Sequence, residues 1–377
     1  MDTLLDFDTF ENAETADTQL ILNINAEAEQ DFLAKIGGMS ARKSDVAALV
    51  DQYNGTNIKT LCFAGSNRDA LAIWAQRCRA LGINSLLTVQ AENCAGMTTS
   101  DFCTDGFLID CRRAKDLSAV CEFAKSTDAM VYLLLPQDAH TDVLGDTLRK
   151  VLQGVILCAG ESGCANVLPQ VDWLSEQKDF SVFAGVGEVL CVANGKKWYP
   201  TPEIMNGIAV EVLSKGYNGL FLDGFCADIM NPDTMLYDVY ENCGSLQECV
   251  GARRRHLMLV NEEKIILPGA VYHFTADICP VFKGAPVCFV LAVEGARQAE
   301  SLHVLCSKTE VQYTGKPVVI ARSENGKLRE NHCIAGDVTC FEYYLGNDFE
   351  NDKIKISVRN ETKKNLILHW AEVSVNI

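Results

Sequence analysis

Eight short apolar runs, spaced by amphipathic stretches, constrain this chain more than any other feature. They are QLILNIN (19–25), TLCFAGS (60–66), SLLTVQAE (85–92), GFLIDCRR (106–113), VYLLLPQ (131–137), GVILCAGES (154–162), SVFAGVGEV (181–189) and GLFLDGF (219–225). A strand with one wet face alternates apolar and polar residues. Runs without alternation suit parallel strands covered on both faces. Helical patterns fill most of the gaps. RDALAIWAQRCRAL follows Asn67, a side chain suited to capping a helix N-terminus, and stops at Gly82, a left-handed C-cap candidate. PTPEIMNGIAVEVLSKG places Thr201 at the cap, Pro202 in the first turn and Gly216 at the end, with Ile204, Ile208 and Val212 on one face. DVAALVDQY predicts another helix, with Ser44 as its N-cap. Between the third and fourth runs, CAGMTTSDFCT holds no helix.

Eight strands and about seven helices within about 240 residues are what a (β/α)8 barrel requires. An open doubly wound sheet is the structural rival, but its nucleotide fingerprint is missing. Gly185 and Gly187 are not followed by a third glycine at the required spacing, and no GxxxxGK[ST] occurs. Gly160-Glu161-Ser162-Gly163 also fails as a nucleophile elbow, which needs GxSxG. From about residue 263 the period changes. VCFVLAV, SLHVLCS, VVIARS, CFEYYLG, KIKISVRN and LILHWAEVSVNI follow one another with turn signals and no helices between them. They predict an antiparallel, jelly-roll-like β-sandwich. The expected fold is therefore α/β: an acidic lead-in over 1–18, a (β/α)8 TIM barrel over 19–260 and a small all-β sandwich over 261–377. SLQECVGARRRHLMLV is expected to close the barrel as its last helix, with Arg253–Arg255 complementing the helix C-terminus.

Composition narrows the partners. Formal net charge is −17, from 33 Lys+Arg against 50 Asp+Glu. Such a field repels phosphate backbones and anionic lipid surfaces, so neither nucleic acid nor membrane is an expected partner. No stretch approaches the roughly 18 apolar residues that span a bilayer. The first 19 residues carry six carboxylates and neither Lys nor Arg, the opposite of a secretory signal. The 17 cysteines are odd in number, form no CxxC pair and scatter through apparent core strands and helices. They read as small buried hydrophobes of a reducing, cytoplasmic compartment. With no HxH and no HExxH, neither a metal nor any other cofactor is called for.

Three segments resemble the bacterial family-10-like glycosyl hydrolases, a group of glycoside-hydrolase-like barrels. AIWAQRCRALGINSLLTV is similar to that group's helix leading through R-x-x-G-I into a strand. Asp105-Gly106, Asp110 and Arg113 resemble its fourth-strand pattern, and YPTPEIMNGIAVEVLSKGYNGLFL resembles its P-T-P-E helix and final strand. The resemblance covers most of residues 45–225 and implies a carbohydrate-active barrel, often with a C-terminal β-sandwich. The chain departs from the family after the third strand, where Gln90, Glu92 and Asn93 replace Arg and Asn-Asp. It departs again at the last strand, where Asp223 and Gly224 replace Phe-Asn.

In a barrel the C-terminal strand ends face the site. Those ends carry Glu92, Asp110, Arg113, Glu161, Glu188 and Asp223. Glycoside hydrolysis needs one carboxylic acid to protonate the leaving oxygen and a second carboxylate as nucleophile or base. Asp110 is the expected acid, Glu188 the nucleophile or base, and Glu161 a substitute for either. Arg113, Glu92, Asn93 and Asp223 are expected to bind substrate, together with Trp198 and Tyr199 in the loop after the seventh strand. Each carboxylate also has a structural reading, because strand-end acids cap helices and accept loop amides. Trp74 and Trp173 read as core. Two function classes stay open: a glycoside hydrolase acting on a soluble glycan, and a catalytically degenerate barrel that binds carbohydrate or a protein partner. Self-association into a homo-oligomer through the sandwich is also left open.

Overall fold

The computed structural model describes residues 19–376 apart from 25, 39–40, 137–138, 140–143, 145–147, 159–178, 189–190, 194–195, 226–233, 279–280, 282–283, 309–310, 314–317, 323–337, 348 and 350–352. All eight apolar runs form parallel strands: β1 (Gln19–Ile24), β2 (Ile58–Phe63), β3 (Asn84–Gln90), β4 (Gly106–Asp110), β5 (Met130–Pro136), β6 (Gly154–Cys158), β7 (Ser181–Gly187) and, after a short hairpin, β10 (Gly219–Asp223). They close into a barrel in the order β1-β10-β7-β6-β5-β4-β3-β2. The hairpin is β8 (Cys191–Ala193) and β9 (Lys196–Trp198), in the loop after β7.

Both faces of these strands are dry, which is why the runs do not alternate. One set of side chains fills the barrel: Ile21, Cys62, Leu86, Leu108, Leu134, Ile156, Cys158, Phe183 and Phe221 pack as one interior cluster with Tyr132. The barrel is thus a packed core rather than a pore. Gly185 belongs to this packing. A Cβ there would lie 2.1 Å from the Cys158 sulfur. The glycine makes room for a thiol, and needs no nucleotide to explain it.

The outward set packs under α1 (Ala26–Lys35), α2 (Lys43–Asp51), α3 (Arg68–Ala80), α4 (Ser118–Ser126), α5 (Pro202–Ser214) and α6 (Thr234–Asn242). Asn67 caps α3 as expected, accepting the Ala70 amide at 3.1 Å, and Gly82 takes φ +71°. Ser44 does not cap α2: it lies inside the helix, and Arg42 at the cap position instead pairs with Asp45 at 3.1 Å. Thr201 occupies the cap position of α5 without a side-chain cap bond. The β3–β4 connection holds only two 3-10 turns, Ala91–Asn93 and Thr99–Asp101. Trp74 is core, its indole N–H donating to the Val46 carbonyl at 2.6 Å. Trp173 lies outside the described residues.

The expected closing helix is corrected. Only α7 (Leu246–Val250) is helical, and it stops at Gly251. From Arg254 the side chains alternate, with Arg254 and His256 buried and Arg255 half-buried, and this period-2 pattern forms β11 (Arg254–Ile266). The run still serves a helix end, through Arg254 at the last carbonyl of α7, but it does so from a strand, and the first sandwich strand begins before residue 261. Arg254 is buried and donates to the carbonyls of Val250 and Ile278 at 2.9 and 3.2 Å.

Two antiparallel sheets follow. Besides β11, the strands are β12 (Val271–Asp277), β13 (Val287–Glu294), β14 (Leu302–Lys308), β15 (Val311–Tyr313), β16 (Val318–Arg322), β17 (Val338–Gly346), β18 (Lys353–Asn360) and β19 (Leu366–Val375). The five-stranded sheet runs β11-β19-β13-β17-β16 and the four-stranded sheet β12-β18-β14-β15. Phe274 and Ile356 of one sheet share a core with Phe289 and Leu368 of the other, which makes the pair a sandwich.

The outer face of the five-stranded sheet docks on the barrel. Val260, Ala292, Val338, Cys340 and Trp370 join the barrel's own core. Helix α5 approaches β11 closely at Gly207, where a Cβ would lie 2.2 Å from the Arg255 carbonyl oxygen. Beside it the Asn206 amide donates to the Arg253 carbonyl at 3.0 Å. Among the described residues no helix is long and apolar enough to cross a membrane.

Candidate functional site

Polar side chains replace apolar ones at the top of the barrel interior. In a strand, residues two apart share a face. Asn23, Thr88, Asp110 and Asp223 therefore stand above Ile21, Leu86, Leu108 and Phe221, the filling of β1, β3, β4 and β10. Asn23 and Asp223 are register partners on neighbouring strands, as are Gln90 and Asp110.

One cation joins the two halves. Arg112 forms a two-pronged bridge to Asp110, with Nε 3.1 Å from Oδ1 and Nη2 2.8 Å from Oδ2. Its own amide donates to Asp110 Oδ1 at 3.1 Å, so the turn after β4 holds the guanidinium over the carboxylate. The remaining prong, Nη1, points to Asp223 Oδ2 at 3.4 Å. Strand β10 is diametrically opposite β4 in the barrel order, so a single side chain spans the mouth. Asp223 Oδ1 accepts from Asn23 Nδ2 at 2.9 Å, and Asn23 Oδ1 accepts from the Thr88 hydroxyl at 3.1 Å. Gln90 Nε2 lies 3.4 Å from Asp110 Oδ2. The mouth is thus floored by a continuous polar chain: Thr88, Asn23, Asp223, Arg112, Asp110 and Gln90.

Burial raises the Asp110 pKa, but the hydrogen bonds and charge of Arg112 outweigh it and hold the carboxyl below its usual value. Arg112 is correspondingly raised by its bonds to Asp110. The thiols of Cys62 and Cys158 beneath this layer are driven up by burial and by the Asp223 charge, which keeps them neutral. Tyr132, lower in the barrel, is pushed up to about 12, mainly by burial.

The expected site residues divide into three groups. Asp110 and Asp223 come together through Arg112. Glu188 directly follows β7, which neighbours β10 and stands three strands from β4, one short of diametrically opposite it. Its amide donates to the Asp223 carbonyl at 3.0 Å. Its carboxylate rests against Gly224, where a Cβ would lie 3.2 Å from Glu188 Cδ. Glu92, Asn93 and Arg113 are exposed on the loops around the mouth, and Tyr199 is 58% exposed after the β8–β9 hairpin. Trp198 belongs to β9, and its side chain lies outside the described residues, as does the whole of Glu161.

The acid role expected of Asp110 does not fit this geometry, because a carboxylate bridged by two guanidinium nitrogens is ionised, whereas a general acid must hold a proton. The arginine at the centre is Arg112, not Arg113. It lies in the turn after β4, where strand periodicity no longer decides which side chain turns inward. Asn23 and Thr88 did carry a signal: each is a polar residue inside an otherwise apolar run. Glu29 of α1 is a further carboxylate not singled out. It is buried over Gly65 in the β2–α3 loop and accepts the Asn67 amide; burial raises its pKa and that bond opposes the rise. It ties α1 to the loop that starts α3. Among the described residues no group of three or more His, Cys, Asp or Glu could hold a metal ion.

No protein-family model matches the chain, and no curated protein matches it. Solved structures do align with it. The GH18 chitinase ChiB of Flavobacterium johnsoniae is 10% identical at a TM-score of 0.40, over 63% of this chain and 95% of the chitinase. The α-amylase of Geobacillus thermoleovorans, complexed with acarbose, is 9% identical at 0.41, over 92% of this chain and 99% of the amylase. Mycobacterium tuberculosis tryptophan synthase aligns equally well, at 10% identity and a TM-score of 0.40, over 65% and 96% of the two chains. Similarity this distant, shared by two carbohydrate enzymes and a synthase, does not select an activity. The barrel assignment rests on the strand pairing itself.

Proposed function

We propose that the barrel mouth binds a neutral, hydroxyl-rich ligand of the carbohydrate class, on a floor formed by Asp110, Arg112 and Asp223. The observation that carries this reading is the asymmetry of the bridge. Asp110 is closed by two short prongs, while Asp223 receives one prong at 3.4 Å and keeps 21% of its side chain exposed. Asp223 Oδ2 is therefore the acceptor a sugar hydroxyl can reach, and Asn23 fixes its orientation. One guanidinium between two carboxylates leaves a net negative floor, and Glu188 stands next to it. Many barrels hold phosphate near strands seven and eight. Here that position repels anions, so a neutral sugar suits it better than a sugar phosphate. Tyr199 offers an exposed ring against which an apolar sugar face can stack.

Hydrolysis is the second reading, and the position of Glu188 beside Asp223 favours it. In that case Asp223 is the nucleophile or base, Glu188 delivers the proton, and Asp110 only holds Arg112. A carboxyl separation of about 5 Å would give retention, and one nearer 6.5–9.5 Å inversion. A panel of neutral sugars and sugar phosphates screened by thermal shift and calorimetry, alongside aryl-glycosides, separates the readings. Binding of a neutral sugar that Asp223→Asn weakens at least tenfold, with no turnover, supports the binding barrel. Turnover abolished by Glu188→Gln supports the hydrolase. If nothing in the panel binds or reacts, or Asp223→Asn leaves binding unchanged, the mouth is not a carbohydrate site.

A further inference from the structure

A pair of thiols lies away from the mouth, where barrel and sandwich join. Cys243 directly follows α6, and Cys249 lies in α7; both are buried. The Cys249 thiol donates to the Asn242 carbonyl at 3.0 Å, and the Cys243 thiol to Asn206 Oδ1 at 3.8 Å. Asn242 immediately precedes Cys243, so the Cys249 sulfur lies beside the Cys243 backbone, and the Cys243 thiol interacts with it. That contact, then burial, raises the Cys249 pKa well above the usual thiol range, with Arg254 opposing. Both groups are therefore shielded while α7 stays in place.

Their surroundings belong to the junction. Asn206 holds Cys243 with its oxygen and the Arg253 carbonyl with its nitrogen, and Arg254 Nη1 donates to the Val250 carbonyl at 2.9 Å. Helix α7 is a single short turn of helix, capped by Ser245 and ended at Gly251. Helices of that length do not hold themselves together, so α7 is a natural unit of local opening.

We propose that Cys243 and Cys249 are a reversible disulfide site, reached when α7 opens, that locks α6 to α7 at the barrel–sandwich junction. The oxidant is a low-molecular-weight disulfide. The Cys249 thiolate attacks one of its sulfurs, forming a mixed disulfide and expelling one small thiolate. The Cys243 thiolate then attacks the Cys249 sulfur and expels the second. The two protons lost by the protein thiols are taken up by the two leaving thiolates. Two cysteines are oxidised and one small disulfide is reduced to two thiols. Closure draws Cys243 away from Asn206 and cross-links a short loop, which constrains the unfolded chain.

The experiment incubates the full chain with increasing oxidised glutathione, blocks remaining thiols and maps fragments without reduction. Cleavage after Glu248 leaves Cys243 and Cys249 on separate fragments joined only through sulfur. The expected result is a linked 243–249 fragment pair, formed before any other disulfide, at a rate that levels off as oxidant rises because opening of α7 becomes limiting. The oxidised chain should also melt several degrees higher than the reduced one, and Cys249→Ser should abolish that shift. Cys94 and Cys111, also buried, are the internal comparison. The proposal is overturned if Cys243 and Cys249 stay reduced while other cysteines oxidise, or if either pairs elsewhere.

Discussion

Two arginine–carboxylate networks in this chain use the same chemistry and differ in closure. At the junction, Arg255 Nε and Nη2 grip Glu372 at 3.0 and 2.6 Å, and the Trp370 indole adds a third bond to the same carboxylate at 2.9 Å. Glu372 keeps 4% of its side chain exposed. At the mouth, Arg112 is divided between two carboxylates, and its bond to Asp223 is long. The junction network closes Arg255 on a single carboxylate that is itself buried, and so serves packing. The mouth network leaves an oriented acceptor facing solvent, an arrangement that costs stability and suits a ligand.

Breaking the junction should have the largest effect. Glu372→Ala strands a half-buried guanidinium and a buried indole N–H, and a loss of about 3–5 kcal/mol is expected in urea unfolding. A loss under about 1 kcal/mol would place Arg255 in water and erase the contrast with the mouth. Next comes Gly207→Ala. Alanine favours helix by up to about 1 kcal/mol, but the new methyl meets the Arg255 carbonyl. A net loss of about 1–3 kcal/mol is expected, and proteolysis between barrel and sandwich should quicken. A stabilised variant would show that α5 and β11 are not in close contact.

The mouth responds to pH in a way the junction does not require. The folded-state pKa of Asp110 is depressed, so its pairing stabilises the fold above the unfolded value of about 3.9 and is lost as pH falls through the lower folded value. Arg112→Met removes the cation and leaves burial to raise Asp110. Its stabilisation then turns into a penalty near neutral pH, of about 1–3 kcal/mol, and acid should relieve that penalty. Denaturant melts of both proteins at pH 7 and pH 4 check this: the gap between them should narrow on acidification. A constant gap would mean that Arg112 does not control the Asp110 proton.

The barrel was legible in the sequence because its strands are dry on both faces, and all eight runs stand where strands form. Beyond residue 250 the reading failed for a physical reason. LQECV is a real helix, and the residues after Gly251 are too polar to look like a strand until Arg254 and His256 are seen to alternate with Arg255. Strand β12, VYHFTAD, was hidden in the same way, since its wet face carries His273 and Thr275. The rim was half legible. Asp110 and Asp223 close their runs and are visible as polar ends. The bond that defines them comes from Arg112, beyond the strand, and which of three neighbouring residues in Cys111–Arg113 turns inward depends on backbone direction. Asn23 owes its importance to its register with Asp223, across a gap of 200 residues that composition does not bridge.

The smallest effect on stability is expected at Tyr199, and it bears most directly on whether the mouth is a binding surface. The ring is 58% exposed, so Tyr199→Ala should change stability by less than about 0.5 kcal/mol. An exposed aromatic ring on the loop after β7 nevertheless offers a stacking platform that alanine cannot replace. If the neutral sugar bound at Asp223 also covers this ring, the substitution should weaken its binding by about tenfold, on the order of 1.4 kcal/mol. Calorimetric titration of the variant and the parent with that sugar measures the difference. Equal affinities would confine the ligand to the polar floor, and the loop after β7 would then be a connection between barrel and α5 rather than part of the site.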